Sequence, residues 1–210
     1  MPQEPSVKRA FAFFDGQNLF HSAKESFGYT YPNFAPRLLA EQICSLKEWN
    51  LEGVFFYTGI PDAKDDSFWN HFWTAKLAVM GTRHVQTFSR SLRYRFQRFV
   101  LPDGKEHTQR IGQEKGIDIR IALDVVRLAR TKELDVALIF SQDRDLSEVA
   151  DEVKQISMDQ NRWIKVACAF PVSPTTINRR GINGTDWIPI DRVTYDSCLD
   201  SNDYRPKTKG

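Results

Sequence analysis

The sequence predicts an α/β protein with a central, mostly parallel β-sheet covered by helices on both faces. Short apolar runs alternate along the chain with longer segments in which apolar residues recur at helical spacing. This alternation is typical of parallel sheets, whose strands are buried on both faces. A length of 210 residues is enough to bury the core of one such domain.

The predicted elements follow one another in a regular order. Strands are expected where an apolar run ends at turn-forming or acidic residues, at 10–14, 54–57, 84–88, 136–140, 164–170 and, more briefly, 187–190. Helices are expected from 16 to about 27 and at 36–47, 66–80, 117–128, 146–156 and 191–199. In the third helix we expect Phe68, Phe72, Ala75 and Val79 to face the core, with Trp69 and Trp73 also serving as packing residues.

The segment 92–111 interrupts this alternation. Two polar-apolar stretches flank Pro102-Asp103-Gly104, which is a turn signal and predicts a β-hairpin. Between residues 90 and 110, six basic and two acidic residues give +4, whereas the whole chain has 29 basic and 27 acidic residues and a net charge of +2. The positive charge is therefore concentrated on the predicted hairpin.

Aromatic residues alternate with the arginines of this hairpin. Arginine neutralises phosphate and aromatic rings stack on unpaired bases, so Arg93, Arg95 and Arg98 are candidate contacts to single-stranded nucleic acid. The alternative is an ordinary hairpin in which Tyr94 and Phe96 pack on the body while the arginines face water.

Several protein classes do not fit the sequence. No apolar run approaches the roughly 20 residues of a membrane span, and the N-terminus lacks the apolar core of a secretory signal. Cys44, Cys168 and Cys198 are far apart, which predicts neither a disulfide framework nor a zinc knuckle and favours a reducing, cytoplasmic location. Glycine-rich nucleotide-binding motifs are absent from the sequence.

Acidic residues follow two of the predicted strands. Asp15 comes directly after the first strand, and Asp143 and Asp145 come shortly after the fourth. In open parallel sheets, ligands bind outside the carboxyl ends of the strands. The alternative is that each of these acids only caps the helix that follows it. Asn18, in the first turn of the first helix, is expected either to contact substrate at this edge or to cap that helix.

Two further acids lie on the helix that begins near Gly116. Asp118 is in its first turn, where the helix dipole alone would also favour an acid. Asp124 follows six residues later and therefore points about 120° away from Asp118. For Asp124, an ion pair with Arg120 or Arg127 explains the residue as well as metal binding does.

Carboxylates that converge at one edge of a sheet repel one another unless a cation lies among them. Oxygen ligands that leave room for water suit Mg²⁺ or Mn²⁺. Such a site can generate hydroxide from water and stabilise the charge of a phosphoryl group. If the acids converge, the sequence predicts this kind of metal site.

Three segments resemble motifs of the NYN domains, which are part of the PIN-like nuclease superfamily. Phe13–Leu19 resembles the opening strand motif, Glu114–Arg120 resembles the central "KGVD" helix, and Leu138–Leu146 resembles the "SGDSDF" strand end. Asp124–Ala129 continues the central helix in the family's style. The segments occur in the family's order and the resemblance spans about 10–156. Two departures are Gln142 in place of the usual Gly and Leu146 in place of Phe.

The resemblance implies a PIN-like three-layer sandwich. It places the NYN/PIN-like domain at 1–170, with the hairpin inserted at about 90–111, and leaves 171–210 as an extension that packs on the same domain and ends in a frayed tail. It also implies a Mg²⁺ or Mn²⁺ site. The residues assigned to catalysis or metal binding are Asp15, Asp118, Asp143, Asp145 and, with the ion-pair alternative above, Asp124. The residues assigned to substrate binding are Asn18, Ser141, Lys115, Arg93, Arg95 and Arg98.

The function implied is a metal-dependent endoribonuclease that acts on RNA, with no membrane partner. One alternative is a nucleic-acid-binding PIN-like module with weak or no catalysis. Another is a phosphohydrolase of the haloacid dehalogenase type, although that class requires Asp-x-Asp after the first strand and residue 17 is Gln. The sequence leaves the oligomeric state open, with a homodimer as one alternative.

Overall fold

The computed structural model describes residues 2–100 and 106–207. Its main-sheet strands are β1 (Arg9–Asp15), β2 (Asn50–Ile60), β3 (Val85–Ser91), β6 (Val136–Phe140), β7 (Lys165–Pro171) and β8 (Asp186–Ile190). The hairpin strands are β4 (Arg93–Val100) and β5 (Glu106–Gln113). The helices are α1 (Gly16–Phe27), α2 (Pro36–Leu46), α3 (Ser67–Thr82), α4 (Ile117–Arg130), α5 (Ser147–Asp159) and α6 (Arg192–Asp196), with a short 3₁₀ turn at Arg144–Leu146.

The main sheet has six strands in the order β3-β2-β1-β6-β7-β8, and every neighbouring pair is parallel. This confirms the predicted α/β fold with a central parallel sheet. From β1 the chain builds outward through β2 and β3, then returns to the centre and builds outward in the other direction from β6. The carboxyl ends of β1 and β6 therefore lie side by side at the point where the strand order reverses.

Each face of the sheet carries its own apolar layer, because successive side chains of a strand point to opposite faces. Phe14 of β1 and Phe56 of β2 lie in the layer covered by α1, α2 and α3. Phe13 and Phe55, one residue earlier on the same strands, lie in the layer covered by α4 and α5. The result is the expected three-layer sandwich.

Helix α4 buries the face that its spacing predicts, whereas α3 does not. Ile117, Ile121, Val125 and Leu128 of α4 are all buried. In α3 the predicted core residue Phe68 is 41% exposed, and the buried residues are Phe72, Trp73, Lys76 and Met80. The helix is apolar on several sides, so spacing alone did not fix its rotation.

The hairpin forms a separate antiparallel sheet of β4 and β5, as predicted. Its turn at Pro102-Asp103-Gly104 lies outside the described residues. No helix in the described part of the chain is long and apolar enough to cross a membrane.

The C-terminal segment is more ordered than a frayed tail up to Tyr204. β8 extends the main sheet beside β7. Tyr204 is buried, and its hydroxyl donates to Asp200 Oδ2 at 2.8 Å. Asp200 in turn accepts a hydrogen bond from the fully buried Lys76 at 3.3 Å. These contacts attach the segment to α3.

Candidate active-site cleft

The two central strand ends each place an aspartate at the carboxyl edge of the sheet. Asp15 ends β1 and caps α1, since its Oδ1 accepts from the backbone N–H of Asn18 at 3.0 Å. Asp143 follows β6 and caps the 3₁₀ turn, since its Oδ1 accepts from the N–H of Asp145 at 3.0 Å. The helix-capping alternative is therefore correct for both residues, but it does not remove them from the edge where ligands bind.

A cleft of about 510 Å³ lies at this edge. It contains five of the sequence-predicted site residues, which the structure brings together: Asp15, Asn18, Lys115, Asp118 and Asp143. Its other lining residues are Gln17, His21, Glu114, Gly116, Ile117 and Ile119.

Asn18 and Gln142 connect the elements around the cleft. Asn18 Oδ1 accepts from the backbone N–H of Gln142 at 2.8 Å. The Gln142 side chain accepts from the Ser22 hydroxyl at 2.7 Å and donates to the carbonyls of Asn178 and Arg180 at 3.0 and 2.9 Å. The glutamine that departs from the family motif therefore fixes the 171–185 connection against α1.

Ser141 and Asp145 do not line the cleft. Ser141 is buried, and its hydroxyl accepts from the backbone N–H of Asp143 at 3.1 Å. Its hydroxyl supports the loop that carries Asp143 and also hydrogen-bonds the Asp15 carboxylate, and its assignment to substrate binding stays a prediction. Asp145 is exposed and faces a neighbouring groove between α4 and α5, which Asp118 also lines.

Asp124 lies outside the cleft, in the ion pair that the sequence offers as an alternative. Its side chain is 6% exposed and accepts from Arg120 Nε and from the Tyr57 hydroxyl, each at 2.9 Å. The 120° offset from Asp118 turns it toward β2. We therefore do not assign Asp124 to the metal site.

Glu114 is a cleft residue that the sequence analysis does not identify. It follows β5, and its Oε2 accepts from the backbone N–H of Gly59 at 2.7 Å. A Cβ atom at Gly59 would lie 2.8 Å from that oxygen, so a side chain at this position would displace the Glu114 carboxylate. Gly116, two residues after Glu114, has φ +75° and turns the chain from the hairpin into α4. The acid immediately before Lys115-Gly116 was the available signal, but its position depends on the hairpin base.

The carboxylates of the cleft repel one another. Burial, together with the nearby Asp143 carboxylate, raises the pKa of Asp15 to about 6. Burial, with contributions from Asp15 and Asp118, raises the pKa of Glu114 to about 8. Each shift shows that negative charge in the cleft is unfavourable without a counter-charge.

The donor set suits a hard divalent cation that retains water. Within residues 2–100 and 106–207, no three acidic, histidine or cysteine side chains are close enough to form a ready-made metal cluster. Carboxylates are nevertheless the ligands that Mg²⁺ uses, commonly one or two at a time with water completing the shell. The oxygen donors lining the cleft are therefore of the type that Mg²⁺ and Mn²⁺ take.

The base of the hairpin borders the cleft. Arg93 pairs in register with Gln113, the residue before Glu114. Tyr94 is partly buried beneath the Arg110 guanidinium, whereas Phe96 is 75% exposed. The expectation that both aromatic residues pack on the body is therefore met only at Tyr94.

The arginines predicted to contact nucleic acid divide between the two faces of β4. Arg93 and Arg95 share one face, and Arg98 lies on the other, 3.8 Å from Glu106. All three side chains are exposed.

A central six-stranded parallel sheet flanked by helices, with acids at its central strand ends, is the architecture expected of a PIN-like α/β domain. The chain belongs to the NYN domain family, since the family model for the NYN domain matches residues 9–161. This confirms the resemblance, and the family is one of PIN-like nucleases.

The comparison with solved structures supports the fold. A crystal structure of a protein of unknown function from Vibrio parahaemolyticus aligns with a TM-score of 0.51 and 16% identity, covering 90% of this chain and 97% of the other. At that identity the likeness concerns the fold alone. The curated proteins include no significant match.

Proposed function

We propose that the protein is a metal-dependent endoribonuclease. The observation that carries the proposal is the set of mutually repelling carboxylates in one cleft, in which burial and neighbouring charge raise the pKa of Asp15 to about 6 and that of Glu114 to about 8. The cleft lies where the strand order reverses, which is where open α/β sheets bind ligands. A cation among these residues would relieve their repulsion.

Asp15, Asp118 and Asp143 would hold Mg²⁺ or Mn²⁺, directly or through water. When bound, the ion would lower the pKa of a water molecule and stabilise negative charge on the phosphodiester. Glu114 is fixed by Gly59 and completes the acidic wall. Lys115, exposed at the rim, supplies a positive charge for a substrate phosphate.

RNA is the proposed substrate because of the NYN family and the basic hairpin. Arg93 and Arg95 share one face of β4, and Arg93 pairs in register with Gln113, the residue before the cleft residue Glu114. Contacts between these arginines and phosphates would hold a single strand across the acids without reading its sequence.

A second candidate is an RNA-binding NYN module that cleaves slowly. Its support is that no three metal-ligating side chains cluster closely in the described parts of the chain. The two candidates differ in turnover and agree on RNA binding.

Cleavage of single-stranded RNA in Mg²⁺ or Mn²⁺ tests the first candidate. We expect cleavage that stops with EDTA and is abolished in Asp143→Asn, because the substitution removes a charged cleft ligand. Asp151→Asn, a matched change at an exposed position of α5, should cleave like the wild type. Equal cleavage by Asp143→Asn and wild type would overturn the proposal. RNA binding without cleavage would favour the second candidate.

A further inference from the structure

A second groove adjoins the acidic cleft and has no role in the mechanism above. Its volume is about 490 Å³. It lies between α1, α3 and the base of the hairpin, and Gln17 and His21 line both the groove and the cleft. A chain lying across the cleft can therefore continue into the groove without leaving the surface.

One wall is a single face of α1. Gln17, Phe20, His21 and Lys24 line the groove and are spaced as neighbours on one side of a helix. From Gln17 to Lys24 the wall extends about 10 Å from the acidic cleft. It ends at Lys24, which is exposed and positively charged.

Aromatic side chains form much of the remaining lining. Trp69 of α3 is only partly buried, and its ring centroid lies 6.2 Å from that of Phe20. Trp73, one turn further along α3, is 4% exposed and behaves as the core residue that the sequence predicts. Both tryptophans line the groove, and Trp69 is the more exposed of the two.

The hairpin forms another wall, to which it contributes Tyr94, Arg110 and Gly112. The Arg110 guanidinium lies 4.3 Å from the centroid of the Tyr94 ring. Arg110 also pairs with Asp65. Asp66, the other acid in the lining, caps α3 by accepting from the N–H of Trp69 at 3.0 Å. Both acids of the groove therefore have partners within the protein: Asp65 pairs with Arg110, and Asp66 caps α3.

We propose that this groove binds an unpaired nucleobase of the RNA strand whose phosphate lies in the acidic cleft. The inference rests on the proposed RNA substrate and adds a second binding position to it. Phe20 and Trp69 provide aromatic surface for the base, and Lys24 lies where the next phosphate would follow. Base stacking on aromatic side chains contributes about 1–3 kcal/mol per base and tolerates any sequence.

The test is a binding measurement in EDTA, so that cleavage does not enter it. Fluorescence anisotropy compares a short single-stranded RNA with a ribose-phosphate chain of equal length that lacks bases. We expect the wild type to prefer the base-bearing RNA, and Trp69→Ala to reduce that preference about tenfold while binding the abasic chain as before. Trp69→Phe, which retains an aromatic face, should keep most of the preference.

One control variant and one variant at the end of the groove complete the test. Trp163→Ala removes a partly buried tryptophan just before β7, at the opposite edge of the sheet, and should leave the preference unchanged. Lys24→Gln should reduce the slope of log K against log salt concentration for both ligands, by the amount that corresponds to about one phosphate contact. Thermal unfolding of each variant reports whether it remains folded.

The outcomes distinguish this proposal from the proposed function. A wild type without preference for bases, or a folded Trp69→Ala variant that keeps the preference, would overturn the groove proposal even if the protein cleaves RNA. A preference that depends on Trp69, in a protein that cleaves nothing, would support the groove while overturning the nuclease.

Discussion

The side-chain oxygen of Asn18 accepts a hydrogen bond from the backbone N–H of Gln142 at 2.8 Å. Asn18 lies in the first turn of α1, immediately after the strand that ends at Asp15, and Gln142 directly precedes Asp143. One hydrogen bond thus joins the two strand ends that carry the acids of the cleft. It thereby links the residue three positions after Asp15 to the residue before Asp143.

Replacing Asn18 with leucine should destabilise the fold by about 1–3 kcal/mol, because the partly buried N–H of Gln142 loses its acceptor. Urea unfolding measures the effect. His21→Leu, at an exposed position of the same helix, serves as the control and should change stability by less than about 0.5 kcal/mol. Equal unfolding midpoints for Asn18→Leu and wild type would show that the bond does not fix the strand ends.

Asp124→Asn should lower stability without changing metal affinity. The substitution weakens the ion pair with Arg120 while retaining an acceptor for Tyr57, for an expected loss of about 1–3 kcal/mol. Calorimetric titration with Mn²⁺ should give the wild-type affinity, whereas Asp118→Asn should weaken it. A loss of Mn²⁺ affinity in Asp124→Asn would instead show that Asp124 contributes to the metal site.

The stability contributed at Lys76 should rise with pH. Burial lowers the pKa of Lys76 to about 8, even though Asp200 acts in the opposite direction. Between about pH 8 and the ordinary lysine pKa of 10.5, the unfolded chain therefore holds a proton that the folded protein has released. Folding becomes more favourable as the pH increases through this window.

Comparison with Lys76→Met isolates this effect. The stability of the wild type relative to Lys76→Met, measured by urea unfolding, should increase from pH 8 to pH 10. Lys154→Met, at an exposed position of α5, should show no such trend relative to the wild type. A flat or falling difference for Lys76→Met would contradict the cost assigned to its buried charge.

The double substitution Arg93→Ala, Arg95→Ala should weaken RNA binding. It should also reduce the slope of log K against log salt concentration by the amount that corresponds to about two phosphate contacts. Anisotropy titrations at several salt concentrations measure the slope. Arg37→Ala with Lys47→Ala, on and just after α2, removes the same charge elsewhere and should leave the slope nearly unchanged. If both pairs lower the slope equally, the hairpin is only a solvated basic surface.

Strands and acid positions could be predicted because they depend on local pattern. The apolar run ending at Asp15 predicts both a buried strand and a carboxylate at its end, and the same holds for β6 and Asp143. The family motifs add the order of the segments. The side-by-side placement of β1 and β6 is a property of the whole sheet and required the structure.

The remaining features depend on contacts between distant segments. Glu114 belongs to the cleft because the hairpin base meets Gly59, 55 positions away in sequence. Trp69 and Trp73 lie one helical turn apart and both line the groove, yet the rotation of α3 buries Trp73 and leaves Trp69 partly exposed. Sequence spacing gives relative positions on a helix and does not give the direction in which the helix faces.

We propose above that Asp15, Asp118 and Asp143 together hold one divalent cation. Anomalous diffraction from a crystal soaked in Mn²⁺ tests it most directly. We expect an anomalous peak in the cleft among these three side chains. The peak should be absent from an Asp143→Asn crystal soaked in the same way. Mn²⁺ bound elsewhere, or a cleft without a peak in the wild type, would contradict it.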